Sequence, residues 1–218
     1  RKSHEKVGRV LFRVSASLLA LILSISFANQ RVVYFKVINS LEAEAAKIAQ
    51  MHLDLELYGT EQANDVQKKL HEYVGVVAED GWNHLFENPV TSRQFKLFRE
   101  ITMGIYNLNT EMPTQSLLKE NMIKDSQIIT DLIQVRWYST RPESNYLLYT
   151  TVFGIFICMA LFSVYPPDRF TLFMATGFVA FLGIVLYFII IMTTPLEGPM
   201  QIKAEPFKLL QETIAKNY

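Results

Sequence analysis

The sequence predicts an all-α, polytopic membrane protein that carries an amphipathic helical domain outside the hydrocarbon. Three observations predict it. Val14–Gln30, Tyr146–Pro167 and Phe170–Pro195 hold no Asp, Glu, Lys or Arg over 17, 22 and 26 positions, and a helix needs about 20 apolar residues to cross a hydrocarbon core of roughly 30 Å. The rest of the chain repeats apolar residues every three or four positions, and nowhere alternates with the period of two that a barrel strand needs. Charged residues make up 19% of the chain, against about 25% in soluble domains, and the deficit is confined to the three stretches.

The elements follow in order. Residues 1–30 form the first visible membrane helix with a basic flank; Val7–Phe12 extends the span, and Arg13 snorkels or faces protein. The sequence opens on Arg1 rather than Met, so an earlier segment is expected. Residues 31–145 form a helical extramembrane domain. Its first helix continues the membrane helix outward over Tyr34–Leu57, with Ile38, Leu41, Ala45, Ile48 and Leu55 along one side. Gly59-Thr60 ends it, and Thr60 can cap the next helix, whose stripe is Ala63, Val66, Leu70, Tyr73, Val74 and Val77. Asn88-Pro89 marks a turn. Phe95, Phe98, Ile101, Ile105 and Leu108 make a third stripe, Asn109–Pro113 the next break, and Leu118, Met122, Ile129, Leu132 and Ile133 a fourth. Residues 146–193 form a transmembrane hairpin reversed at Pro166-Pro167. Residues 194–218 are an extramembrane tail.

Charge bias sets an expected orientation. Residues 1–29 carry five basic side chains against Glu5 alone, whereas residues 30–145 carry 12 basic and 16 acidic ones. The positive-inside rule puts the amino-terminal flank and the Pro-Pro loop in the cytoplasm, and the middle domain and tail outside.

Composition excludes much chemistry. The net charge is zero, with 21 basic and 21 acidic residues, so nucleic acid is not an expected partner. Cys158 is the single cysteine, which rules out an intrachain disulfide and a cysteine-based metal cluster. No phosphate-cradling glycine loop, Gly-x-Ser-x-Gly or His-Glu-x-x-His occurs. His52, Asp54 and Glu56 alternate, and His71 adjoins Glu72. On a helix such neighbours diverge and read as solvated faces rather than a metal site. Glu42 and Glu44 read as exposed helix charges. No enzyme, metal or cofactor is expected.

One pattern bears on function. Arg13, Ser17, Ala20, Ser24, Phe27 and Arg31 recur at steps of four and three, and so form one stripe on the first helix. Hydroxyls can replace part of an ion's hydration, arginines concentrate anions, and an aromatic ring can narrow a passage. The stripe therefore reads as a candidate pore lining made by several copies. The alternative is that Ser and Ala permit close helix packing between interfacial arginines. Ser15, Ser26 and Asn29 lie on the other side.

Several segments carry a resemblance. His4-Glu5-Lys6-Val7-Gly8 precedes the first span, and Glu44-Ala45-Ala46-Lys47-Ile48-Ala49 follows it. Tyr73 precedes an acidic-tryptophan pair, Asp80 and Trp82. Thr194-Pro195-Leu196-Glu197-Gly198 and Ala204-Glu205-Pro206-Phe207 follow the last span. Together they resemble the bestrophin-like (DUF4239) family over nearly the whole chain. That family shows Asp-x-Pro-Phe-x-Gly after the last span, so this chain departs by Thr for Asp and Leu for Phe, and a role tied to that acid does not carry over. The resemblance implies a further upstream span, and a distant relation to bestrophins, which are homopentameric anion channels with pore-lining helices from each subunit. It also implies a cytoplasmic large domain, the reverse of the charge bias. Two functional readings follow. One is a homo-oligomeric anion channel, a pentamer by analogy, in a bacterial inner membrane. The other is a non-conducting accessory or scaffold subunit of a larger membrane complex. The lipid bilayer is a partner in both.

Overall fold

The computed structural model describes residues 2–80, 92–139, 146–166, 168–196 and 199–216. Trp82, His84, the Asn88-Pro89 turn, Pro167, Glu197 and Gly198 lie outside them. The described residues form seven helices and no strand: α1 (Lys2–Tyr58), α2 (Glu61–Asp80), α3 (Arg93–Tyr106), α4 (Pro113–Ser139), α5 (Tyr146–Phe162), α6 (Arg169–Met192) and α7 (Glu205–Lys216). The chain divides into two compact units, residues 1–34 with 142–200, and residues 35–141 with 201–218.

Local chemistry fixes the helix ends. Neither Gly nor Pro occurs between Arg9 and Tyr58, so nothing interrupts α1 over its 57 residues. Gly59 then takes φ 69°, the left-handed turn that ends a helix at little cost only for glycine. Thr60 Oγ1 accepts the Ala63 amide at 3.2 Å and starts α2. Ser92 caps α3 by accepting from the Phe95 amide at 3.3 Å. Pro113 opens α4, where its missing N–H leaves no gap in the ladder. Asp168 caps α6 by accepting the Thr171 amide at 2.6 Å. The stop at Gly59, the cap at Thr60 and the break before Pro113 match the sequence-based expectation.

In the first unit, α1 meets α5 and α6. A methyl group on Gly8 would sit 2.8 Å from Val164 Cγ2, and one on Gly154 3.0 Å from Leu19 Cδ1. The numbers rise along α1 as they fall along α5, so the two run antiparallel. Phe12 lies 6.4 Å from Phe178, ring to ring, and Phe27 and Phe188 share one groove further along, so α1 and α6 run parallel. Leu19, Leu23, Cys158, Leu182 and Ile189 form the buried centre. Phe12 also packs on Phe162 and Tyr165 at 5.5 and 5.6 Å, and the Arg9 guanidinium stands 5.6 Å over the Tyr165 ring. The amino-terminal flank of α1 and the turn between α5 and α6 therefore share one end of this unit.

Two helices, α1 and α6, are long and apolar enough to cross a membrane, and α5 is a shorter apolar helix of 17 residues. Only 17% of the apolar window of α1, and the same share of α6, is buried. A core helix of a soluble protein would be mostly buried, so these faces need lipid or another protein against them. Phe173 is 75% exposed and Tyr146 74%, the rings set where hydrocarbon or its interface can cover them.

In the second unit, the distal part of α1 packs with α2, α3, α4 and α7 around Val37, Leu41, Ile48, Met51, Leu55, Leu70, Ile101, Ile105, Met122 and Phe207, all nearly or fully buried. The inner line of α1 runs Val37, Leu41, Glu44, Ile48, Met51, Leu55, Tyr58, in steps of four and three. Of the expected line, Leu41, Ala45, Ile48 and Leu55 are buried, and Ile38 is half-buried. The tail carries α7, which begins at Glu205 and packs on α2.

Candidate functional site

Three clusters lie on this scaffold: the flank of α1 in the first unit, and two polar groups inside the second.

Five members of the α1 stripe, Arg13, Ser17, Ala20, Ser24 and Arg31, are exposed, and Phe27 is half-buried. Ala20, Ser24 and Phe27 meet on one groove of about 510 Å³ between α1 and α6, with Ala16, Leu23, Phe178, Phe181 and Val185 among its other walls; Arg13, Ser17 and Arg31 do not line it. The stripe adjoins the buried face of α1. The opposite face carries Val7, Leu11, Val14, Leu18, Leu21, Ile25 and Val32, all exposed. The exposed surface of α1 thus has a largely aliphatic side, broken by Asn29, and a small, polar, arginine-ended side. Ser17 Oγ donates to Arg13 O at 3.0 Å, and Ser24 Oγ to Ala20 O at 2.8 Å. Such bonds satisfy a hydroxyl in an apolar medium. They also turn lone pairs outward, so these serines offer an anion a donor only when the O–H swings away from its carbonyl about the Cβ–Oγ bond. Ser26, expected on the other side, is buried; Ser15 is half-buried and Asn29 exposed.

In the second unit, the expectation that Glu44 is a surface charge is overturned. Glu44, Tyr73 and Arg136 are fully buried. Tyr73 Oη donates to Glu44 Oε1 at 2.6 Å, and Arg136 Nη1 to Glu44 Oε2 at 2.8 Å. The carboxylate thereby ties α1, α2 and α4 together. Burial pushes the Glu44 carboxyl up, against the pull of Arg136 and the Tyr73 hydroxyl. Tyr73 is pushed well above the usual phenol range by burial and by the Glu44 charge. The phenol therefore stays protonated and donates. Two segments that carried the family resemblance, the one at Glu44 and the one at Tyr73, meet in this bond.

The sequence held a signal for this cluster. Glu44 stands in the buried line of α1, Tyr73 in that of α2 (Ala63, Val66, Leu70, Tyr73, Val77), and Arg136 in that of α4 (Met122, Ser126, Ile129, Ile133, Arg136), each in steps of three and four. A charged residue at a core position of one helix needs an opposite charge at a core position of another.

His52 and Asp54, expected as solvated, are also buried. Gln67 Nε2 lies 2.9 Å and His71 Nε2 3.3 Å from His52 Nδ1. The Gln67 amide nitrogen can only donate, so His52 Nδ1 accepts from it, which assigns a neutral His52 with its proton on Nε2. Asp54 accepts from Gln50 at 2.9 Å, and Lys47 pairs with Asp125 at 2.8 Å. Glu72 turns away from His71 to meet Arg93 at 3.0 Å. Among the described residues no three His, Cys, Asp or Glu side chains are placed to hold a metal.

The two histidines give a pH prediction. Burial lowers both from the ordinary value, offset at His52 by Glu56 and reinforced at His71 by His52. A lowered folded-state value means that the unfolded chain binds protons first as pH falls. Stability is therefore unaffected well above pH ~6.5 and declines as pH falls through ~6.5 toward the folded values. Thermal melts between pH 8 and 5 check this: His71→Gln is expected to flatten the slope, and an equally steep slope in that variant counts against the pair as its source.

A family model described as the bestrophin-like domain matches residues 1–207. No curated protein and no solved structure matches.

Proposed function

Since the chain belongs to the bestrophin-like family of membrane proteins, we propose that it works as a homo-oligomeric channel that passes anions, with α1 of each copy nearest the axis. The observation that carries this reading is the division of α1's exposed surface. An aliphatic face suits lipid. An exposed flank of Arg13, Ser17, Ala20, Ser24, Phe27 and Arg31 does not, and is better placed toward other copies and water. In this reading Arg13 and Arg31 raise the local anion concentration, the rotated hydroxyls of Ser17 and Ser24 replace part of the hydration shell, and Phe27 narrows the path. α5 is the return leg, the ring is pentameric by analogy with bestrophins, and the membrane is a bacterial inner membrane with residues 1–13 on its cytoplasmic side.

Chloride flux into liposomes loaded with the purified chain tests it. Arg13→Glu and Arg31→Glu are expected to cut chloride flux by about tenfold or more each and to shift selectivity toward cations. No flux from the native chain, or unchanged selectivity in both variants, would sink the proposal.

The reading as an accessory subunit has an observation of its own. In the second unit, Leu53, Leu57 and Leu117 are 50%, 73% and 61% exposed, an apolar allowance that partner subunits cover. Stoichiometry of the detergent-extracted protein decides: a ring of identical chains supports the channel, and one copy beside unrelated subunits supports the scaffold.

A further inference from the structure

Most serine and threonine hydroxyls described in the first unit bond back to the main chain. Ser17, Ser24, Thr150, Ser163, Thr176 and Thr193 each donate to a carbonyl three or four residues earlier in their own helix. Ser26 and Thr151 do not. They are 3% and 0% exposed, and neither hydroxyl oxygen has a hydrogen-bond partner among the described residues. A buried hydroxyl without a partner is costly, and native structures resolve nearly all such cases.

The register of α1 and α5 brings these two together. Gly8 lies against Val164 and Leu19 against Gly154, so each step up α1 is a step down α5. Thr151 falls level with residues 22–23 of α1, and Ser26 lies about one turn further along. Both stand on the facing sides: Leu19, Leu23 and Ser26 follow in steps of four and three, and Thr151 is three before Gly154. A helical Cα–Cβ bond tilts toward its own amino terminus. In an antiparallel pair, Ser26 therefore leans toward the level of Thr151, and Thr151 toward the level of Ser26.

We propose that Ser26 and Thr151 bind one water molecule between α1 and α5, inside the membrane unit. Each hydroxyl has one proton to give and two lone pairs, and a buried water typically makes two to four hydrogen bonds. The two side chains supply two of these, and helix carbonyls can supply the others. The guest is water rather than an ion because Val14–Gln30 and Tyr146–Pro167 contain no charged side chain, and a dehydrated ion without a countercharge is far costlier to bury. The proposal does not rest on the channel reading.

Thermal unfolding of the full chain in detergent tests it, with Ser26→Ala, Thr151→Val and their combination. If both hydroxyls hold one water, each single change strands it and lowers Tm by about 3–6 °C, and the double variant loses little more than the worse single one. Ser26→Thr and Thr151→Ser, which keep the hydroxyl, are expected to stay within about 2 °C of the native chain. Hydroxyls that bind nothing give the opposite sign: removing an orphaned group leaves Tm unchanged or raises it, which overturns the proposal. Fully additive losses overturn the shared guest. Replacing chloride by gluconate is expected to leave Tm unchanged; a chloride-dependent Tm that vanishes in Ser26→Ala makes the guest an anion and overturns water.

Discussion

Arg136→Met is expected to destabilise the extramembrane unit by about 3–5 kcal/mol at neutral pH, because it strands the Glu44 carboxylate in a site with no access to water. Methionine fills much of the space, so the loss is electrostatic more than steric. Two further results separate this account from simple packing damage. Without Arg136, the Tyr73 hydroxyl is left to oppose the burial that pushes the Glu44 carboxyl up. A carboxyl with a raised folded-state pKa contributes stability that is present below its unfolded value near 4.5 and lost as pH rises through the folded value. The deficit of Arg136→Met is therefore expected to shrink on acidification. Adding Glu44→Gln removes the second charge and keeps an oxygen for the Tyr73 hydroxyl, so the double variant is expected to recover more than half of the loss. Denaturation of the three proteins at pH 7 and pH 5 checks all of this. A single-variant loss under about 1 kcal/mol, or one insensitive to pH, contradicts the role assigned to the pair.

Phe207→Ala is expected to cost about 3–5 kcal/mol. Phe207 is fully enclosed, and it belongs to α7, a helix of 12 residues whose other buried residue is Ile214. So short a helix has little stability of its own, so its hold on α2 depends on these side chains. Lys208→Ala, one residue along and exposed, is the control and is expected to change stability by no more than about 0.5 kcal/mol. Limited proteolysis gives a second readout: cleavage after Lys208 or Lys216 is expected to accelerate at least tenfold in Phe207→Ala. Equal losses in the two variants would mean that enclosure of the ring is not what holds the tail.

The helices themselves were legible because their signals are local. Long uncharged runs, Gly59-Thr60, Pro113 and the turn before Asp168 each act within a few residues, and all match the structure. What the sequence hid was tertiary. Glu44 and Arg136 are 92 positions apart, and the ordinary expectation for Glu or Arg is a solvated surface. Only the shared core register of α1, α2 and α4 argues otherwise, and it becomes decisive once three helices are seen to supply one carboxylate, one guanidinium and one phenol. His52 and Asp54 were read as solvated for the same reason. On α1, the stripe was legible as a face, but its relation to α6 was not. Ala20, Ser24 and Phe27 share a groove with Phe178 and Phe181, which lie about 150 residues away in the chain.

The chain's one thiol, Cys158, is only 1% exposed, in the packed centre with Leu19 and Leu182. The native background is therefore nearly silent to water-soluble maleimides. A cysteine placed at Ser17, Ser24 or Val14 becomes the reactive position, and its labelling rate reports directly whether water or acyl chains bathe that side of α1.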